Sequence, residues 1–286
     1  MVPMHIGVSI FLTDRTIGAT ELGRAAEDLG FESLWFPEHS HIPVSRRTPW
    51  GGVKGAAPLP EQYWRSHEPF VAFGAIAAVT DTIRLGTGIT LVAQRDPIWT
   101  AKQVATLDHL SDGRVLFGIG YGWNKEELAS HGVDYLERRA ILREKVLAMK
   151  ALWIEEEASF EGDYVSLEPS WAWPKPVQHP HPPILMGGAA GPKTIADMVE
   201  FCDGWIPLGN RHDLLGNIET VRRAVADAGR DPEAFEVSVF GAPKSGEELE
   251  AIAAAGVTRA VFSLPPADTE TVLEKLRDRS EFIGRF

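Results

Sequence analysis

Eight short apolar runs, each followed by a stretch with helical spacing, recur along this chain and restrict it to very few folds. Residues 6–12 are apolar and partly β-branched, and Ala19, Leu22, Ala25, Ala26 and Leu29 then fall at helical intervals before Gly30, which is placed to close the helix. Residues 33–36, 83–91, 114–120, 184–186, 205–208, 235–240 and 259–264 read as seven further strands,. Helices are expected at 70–79, 97–110, 125–153 and 214–226, around Ile195 to Cys202, after the capping box Ser245 to Glu248, and around Leu276,. Eight β-α units in 286 residues predict an α/β fold, a (β/α)₈ TIM barrel formed by residues 1–286 as one domain,. A doubly wound sheet would usually stop at about five or six strands. Two stretches depart from the alternation. One is a long loop after strand two, residues 40–66. The other is an insertion before strand five, residues 155–183, with a hairpin signal at 160–164 and six prolines,.

A barrel places its site at the carboxyl ends of its strands. Segments far apart in sequence then meet on one rim: Glu38 and His39, Gly88, Ile89 and Thr90, Tyr121, Gly122, Trp123 and Asn124, and Gly187, Gly188, Ala189 and Ala190. His39 can donate or accept a hydrogen bond near neutral pH, and Glu38 beside it could fix its tautomer or bind a ligand hydroxyl. The plain alternative is a strand-end pair satisfied by backbone, and position on a barrel rim favours the functional reading. The alternating glycines 118, 120 and 122 allow a close approach to the backbone that a Cβ would block,. Residues 187–191 open a helix, where free N–H groups and the helix dipole suit a phosphate, and Lys193 adds a charge,. Loop 40–66 carries Arg46, Arg47, Trp50, Lys54, Tyr63 and Trp64 and reads as a lid. Trp50, Trp64 and Trp123 are the candidate substrate contacts.

Charge narrows the partners. A net charge of -12 and a pI near 5.2 disfavour nucleic acid and anionic membranes, which need a basic footprint. The single cysteine, Cys202, excludes an intrachain disulfide and suits a reducing, cytoplasmic setting. His131, His179 and His181 lack zinc-enzyme spacing, so no metal is assigned. Neither G-x-x-x-x-G-K-[ST] nor G-x-G-x-x-G after the first strand is present, which disfavours nucleotide hydrolysis.

The ordered motifs Leu34-Trp35-Phe36-Pro37-Glu38-His39, Leu85-Gly86-Thr87-Gly88-Ile89, Leu110-Ser111-Asp112-Gly113-Arg114, Gly118-Ile119-Gly120-Tyr121-Gly122-Trp123 and Pro182-Pro183-Ile184-Leu185-Met186-Gly187-Gly188 resemble the luciferase-like monooxygenase superfamily. Within it, the resemblance is to the coenzyme F420-dependent oxidoreductases. It implies a barrel with a flavin or deazaflavin on the strand ends, against a bulge in strand three where Gly88-Ile89 matches a non-proline cis peptide. It implies hydride transfer between F420 and a small organic substrate, with His39 at the family's strand-two histidine position. FMN is the alternative cofactor, in a monooxygenase using O₂ and a separate reductase, and a catalytically silent flavin-binding protein is a third possibility. A homodimer and a cofactor-reducing dehydrogenase are the partners the resemblance implies. Trp123 stands where the superfamily's sugar-phosphate dehydrogenases carry an acid, so their acid catalysis is not expected here.

Overall fold

The computed structural model describes residues 3–209 and 213–286. The chain begins with β1 (His5–Ser9), α1 (Ala19–Asp28) and β2 (Ser33–Phe36), then runs through α2 (Gln62–Arg65), α3 (Pro69–Ala77), β3 (Arg84–Thr87), α4 (Pro97–Leu110) and β4 (Val115–Ile119). Helices α5 (Lys125–Ser130) and α6 (Arg138–Ile154) lead into a hairpin of β5 (Ala158–Glu161) and β6 (Ser166–Ser170). The second half alternates β7 (Ile184–Gly187), α7 (Pro192–Phe201), β8 (Gly204–Ile206), α8 (Leu214–Asp227), β9 (Glu236–Phe240), α9 (Gly246–Ala254), β10 (Arg259–Ser263) and α10 (Thr269–Ser280).

Eight of these strands close a parallel barrel in the order β1-β10-β9-β8-β7-β4-β3-β2, with β5 and β6 as a separate antiparallel pair. The expected (β/α)₈ architecture is therefore present, with the insertion and the long loop where the sequence put them. Glu144 of α6 fastens the hairpin by accepting from the backbone N–H groups of Asp163, Tyr164 and Val165 at 3.0, 2.7 and 3.0 Å. One expectation fails. The helix foreseen over residues 125–153 is two helices, because Gly132 at φ 75° ends α5. Gly132 N–H donates to the Ala129 carbonyl and Val133 N–H to that of Leu128, the pair of bonds by which an αL glycine closes a helix.

The barrel interior holds Trp35, Leu116, Leu185, Ile206, Phe240 and Val261. A Cβ on Gly86 would collide with the Trp35 indole, so that glycine makes room for the plug. At the opposite end from the strands' carboxyl termini, Arg259, 1% exposed, donates to both oxygens of Glu32 at 2.6 Å and to Ser238 Oγ at 2.8 Å. Burial alone would push the Glu32 carboxyl up, but the Arg259 charge and hydrogen bonds outweigh it and hold it below the usual range. The pair therefore stabilises the fold near neutral pH, and that contribution is lost as pH falls through the lowered value. Arg259→Met strands these carboxylates and is expected to cost about 3 kcal/mol in urea unfolding at pH 7. A loss under about 1 kcal/mol would show the bottom of the barrel to be held by packing instead.

Candidate active site

His39 leaves the end of β2 with its side chain 6% exposed, and its Nδ1 lies 2.7 Å from Glu127 Oε2 in the first turn of α5. Glu127 Oε1 accepts from Ser40 N–H at 3.1 Å and from Gln94 Nε2 at 3.1 Å. Burial would raise this carboxyl, yet those bonds, His39 first among them, leave it below the ordinary range, so it is an anion at neutral pH. The carboxylate that meets His39 is thus Glu127 and not its neighbour. Glu38 is buried and taken elsewhere: Oε2 accepts from Leu91 N–H at 2.7 Å and Oε1 from Arg95 Nε at 2.6 Å. Its place is to pin the segment after β3 to the end of β2.

That segment contains the bulge. The Gly88–Ile89 peptide is cis, as the resemblance implied. Glycines at the ends of β4 and β7 make room for it. A Cβ on Gly118 would strike the Thr87 carbonyl, one on Gly120 would lie 2.8 Å from Ile89 Cδ1, and one on Gly187 would lie 2.6 Å from Ile89 Cγ2. What approaches these backbones is the protein's own bulge, which seats Ile89 across the barrel mouth. Close by, Thr90 Oγ1 and both amide atoms of Asn124 are buried with no hydrogen-bond partner. Gly122, at φ 79°, turns the chain from β4 into α5.

The loop after β7 is a cradle. Gly188 has φ 135°, and a Cβ there would meet nothing within 4 Å. Ala189 and Ala190 continue to Gly191, which precedes α7 without a side-chain cap, with Pro192 in the first turn. The following N–H groups are those an anion would take. Tyr121 donates its hydroxyl to Asp197 at 2.5 Å, and Arg139 grips the same carboxylate at 2.6 and 2.7 Å. Burial and that bond push the Tyr121 phenol up, so it stays protonated and positions α7. Lys193 is exposed, and its carbonyl accepts from Arg139 Nη2 at 2.8 Å.

An aromatic wall closes the rim. The His39 ring lies 5.2 Å from that of Tyr63 and 5.7 Å from that of Trp123, Trp50 lies 5.9 Å from Tyr63, and the Arg46 guanidinium sits 5.7 Å over Trp123. Trp50 and Trp123 both belong to this set of rings. Trp64 is 49% exposed and outside this set of rings, and Tyr63 takes the inward place. Both ends of loop 40–66 are tied down. Glu126 accepts from Arg47 N–H, Thr48 N–H and Thr48 Oγ1 at 2.9, 3.2 and 2.6 Å, and Arg65 pairs with Asp14 at 2.7 Å. Between them, the stretch from Gly51 to Pro58 has Gly51, Gly52 and Gly55 at positive φ. Limited proteolysis is expected to cut between 51 and 58, and bound cofactor with a substrate analogue is expected to slow it. A cutting rate unchanged by ligands would remove the lid from the account.

The profile of the luciferase-like monooxygenases matches residues 12–282. The chain belongs to that family. Relatives include an uncharacterized protein of Mycobacterium tuberculosis, 43% identical over 92% of either chain. A phthiodiolone/phenolphthiodiolone dimycocerosates ketoreductase of the same species is 31% identical over 76% of this chain and 58% of its own length. Among solved structures, the same fold occurs in an F420-dependent secondary alcohol dehydrogenase in complex with an F420-acetone adduct, with TM-score 0.75, 19% identity and coverage of 98% and 99%. It also occurs in a monooxygenase of Streptomyces bottropensis, with TM-score 0.76, 21% identity and 98% coverage of both. Membership of this family makes an oxidoreductase of the luciferase-like type. No helix among the described residues is long and apolar enough to cross a membrane.

Glu127, Arg95 and Gln94 are not marked by any sequence pattern, and Tyr63 stands out there only as one of the lid's side chains. Glu126 and Glu127 look like ordinary acids in a helix first turn, where the dipole favours them. Their reach to His39 and Thr48 depends on barrel closure between β2 and β4, which no local pattern encodes.

Proposed function

We propose that this protein transfers hydride between coenzyme F420 and a small organic substrate bearing a hydroxyl or carbonyl carbon. The observation that carries the reading is His39: a buried imidazole on the barrel rim, set between Tyr63 and Trp123, with Nδ1 engaged by an anionic carboxylate. Such a ring can move a proton at Nε2 while hydride moves at carbon. The residues fit the cofactor. The open space at Gly188 and the uncapped start of α7 suit its phosphate, Ile89 offers an apolar support for a flat ring, and the unpartnered atoms of Thr90 and Asn124 can meet polar ring edges. A bound deazaflavin supplies a carbon that gives or takes hydride and does not activate oxygen. Trp123 has no proton to give as an acid would, which leaves that task to His39, and Tyr63 and Trp50 exclude water from it.

The ketoreductase relative supports carbonyl-alcohol chemistry, and the fold shared with the F420-dependent alcohol dehydrogenase supports the cofactor. A second protein, a dehydrogenase that reduces F420, would supply the donor. Fluorescence titration of the purified protein with F420 and with FMN tests the assignment. Tight binding of F420 with weak binding of FMN is expected. The reverse would make the protein an FMN-dependent monooxygenase, and cofactor binding with no turnover of any alcohol or ketone would make it a silent binding protein.

A further inference from the structure

The proton arrangement of His39 is decided by one contact. Glu127 Oε2 lies 2.7 Å from Nδ1, and the two side chains are 1% and 6% exposed. A carboxylate has only acceptor atoms, so the neutral imidazole beside it carries its proton on Nδ1. Nε2 has no hydrogen-bond partner among the described residues, and the ring lies beside those of Tyr63 and Trp123.

We infer that Glu127 is a positioning residue that holds His39 as the Nδ1–H tautomer, leaving Nε2 as the bare acceptor facing the substrate. This rests on the reading of His39 as the group that moves the proton. In the direction of alcohol oxidation, the carbinol C–H bond breaks as its hydrogen and electron pair leave as hydride to the deazaflavin. The O–H bond breaks with its proton passing to Nε2, and the C=O bond forms. The imidazolium so produced sits beside the Glu127 anion, which offsets its charge in a poorly solvated place. In the reverse direction the same pair presents a charged ring able to donate from Nε2. Without Glu127 the ring is free to adopt the other tautomer, which would meet a substrate hydroxyl with an N–H and could not take its proton.

Other titratable and charged groups flank the ring. Tyr63 comes from α2 and Arg46 lies above Trp123. His41 and His131 are reached through Ser40 Oγ at 3.0 and 2.7 Å. Glu38 is engaged by Arg95.

The test uses the cofactor-free protein labelled with ¹⁵N-histidine. Long-range ¹H–¹⁵N correlation reports which ring nitrogen carries the proton. The parent should show a protonated Nδ1 and an unprotonated Nε2. In Glu127→Gln the preference should weaken, because an amide can donate as well as accept. Glu127→Asp, which keeps an acceptor-only group, should recover part of the preference. Gln94→Ala removes another partner of Glu127 and should leave the tautomer as it is. An Nε2–H tautomer in the parent overturns the inference, as does an unchanged tautomer preference in folded Glu127→Gln. Should Glu127→Gln fail to fold, the parent spectrum and Glu127→Asp still decide. If the tautomer is as stated but F420 does not bind, the positioning stands and the proposed function falls.

Discussion

Replacing His39 by Ala is expected to slow single-turnover hydride transfer by about 10²- to 10⁴-fold while F420 affinity changes by only a few-fold. The separation follows from position. The imidazole lies among Tyr63 and Trp123, whereas the loop proposed to hold the phosphate follows β7. A residue needed only when the proton moves lowers the chemical step and leaves binding nearly alone. Stopped-flow absorbance of the deazaflavin measures both quantities in one experiment. A His39→Ala rate within a few-fold of the parent would reject His39 as the catalytic residue. Equal losses in binding and rate would recast it as a cofactor contact.

Gly188→Val is expected to remove cofactor binding, with affinity falling by about 100-fold or more. Two features combine there. The φ of 135° is one that a β-branched residue adopts only under strain, and a Cβ there meets nothing within 4 Å, so the side chain would take space proposed for the phosphate. The fold should survive, because the Gly188 carbonyl is held by Trp205 Nε1 at 2.8 Å and its N–H by the Ile206 carbonyl at 3.3 Å. Strain of about 1–2 kcal/mol in a barrel of this size is tolerable. Gly188→Ala shares the strain with little of the bulk, so a much smaller effect on binding would assign the loss to occupied space. A folded Gly188→Val that binds F420 as the parent does would move the phosphate away from this loop.

The barrel was legible in the sequence for a physical reason. Strands buried on both faces, such as β4 with all five residues buried, read as unbroken apolar runs, and most are followed by a helix with a glycine just past its end, as at Gly30, or a Ser or Asp cap, as at Ser245. The break between α5 and α6 was not legible, since Gly132 falls within a stretch whose flanks keep helical spacing. The glycines were visible as places of close approach, but not what approaches them. Gly118, Gly120 and Gly187 make room for Thr87 and Ile89, and only the folded barrel shows what approaches them. His39 was visible as a histidine at a strand end, whereas its partner Glu127 lies 88 residues away. The adjacent Glu38 was the natural choice by proximity in sequence, and Arg95 claims it in space.

The most direct test of hydride transfer at this rim is turnover without oxygen. The protein is loaded with F420 reduced and deuterated at the hydride-bearing carbon, and mixed anaerobically with a panel of ketones and aldehydes. The deazaflavin should be oxidised, deuterium should appear on the carbinol carbon of the product, and admitting O₂ should not raise the rate. No oxidation under anaerobic conditions, together with O₂-dependent turnover on reduced FMN and incorporation of an oxygen atom into product, would contradict hydride transfer at this rim.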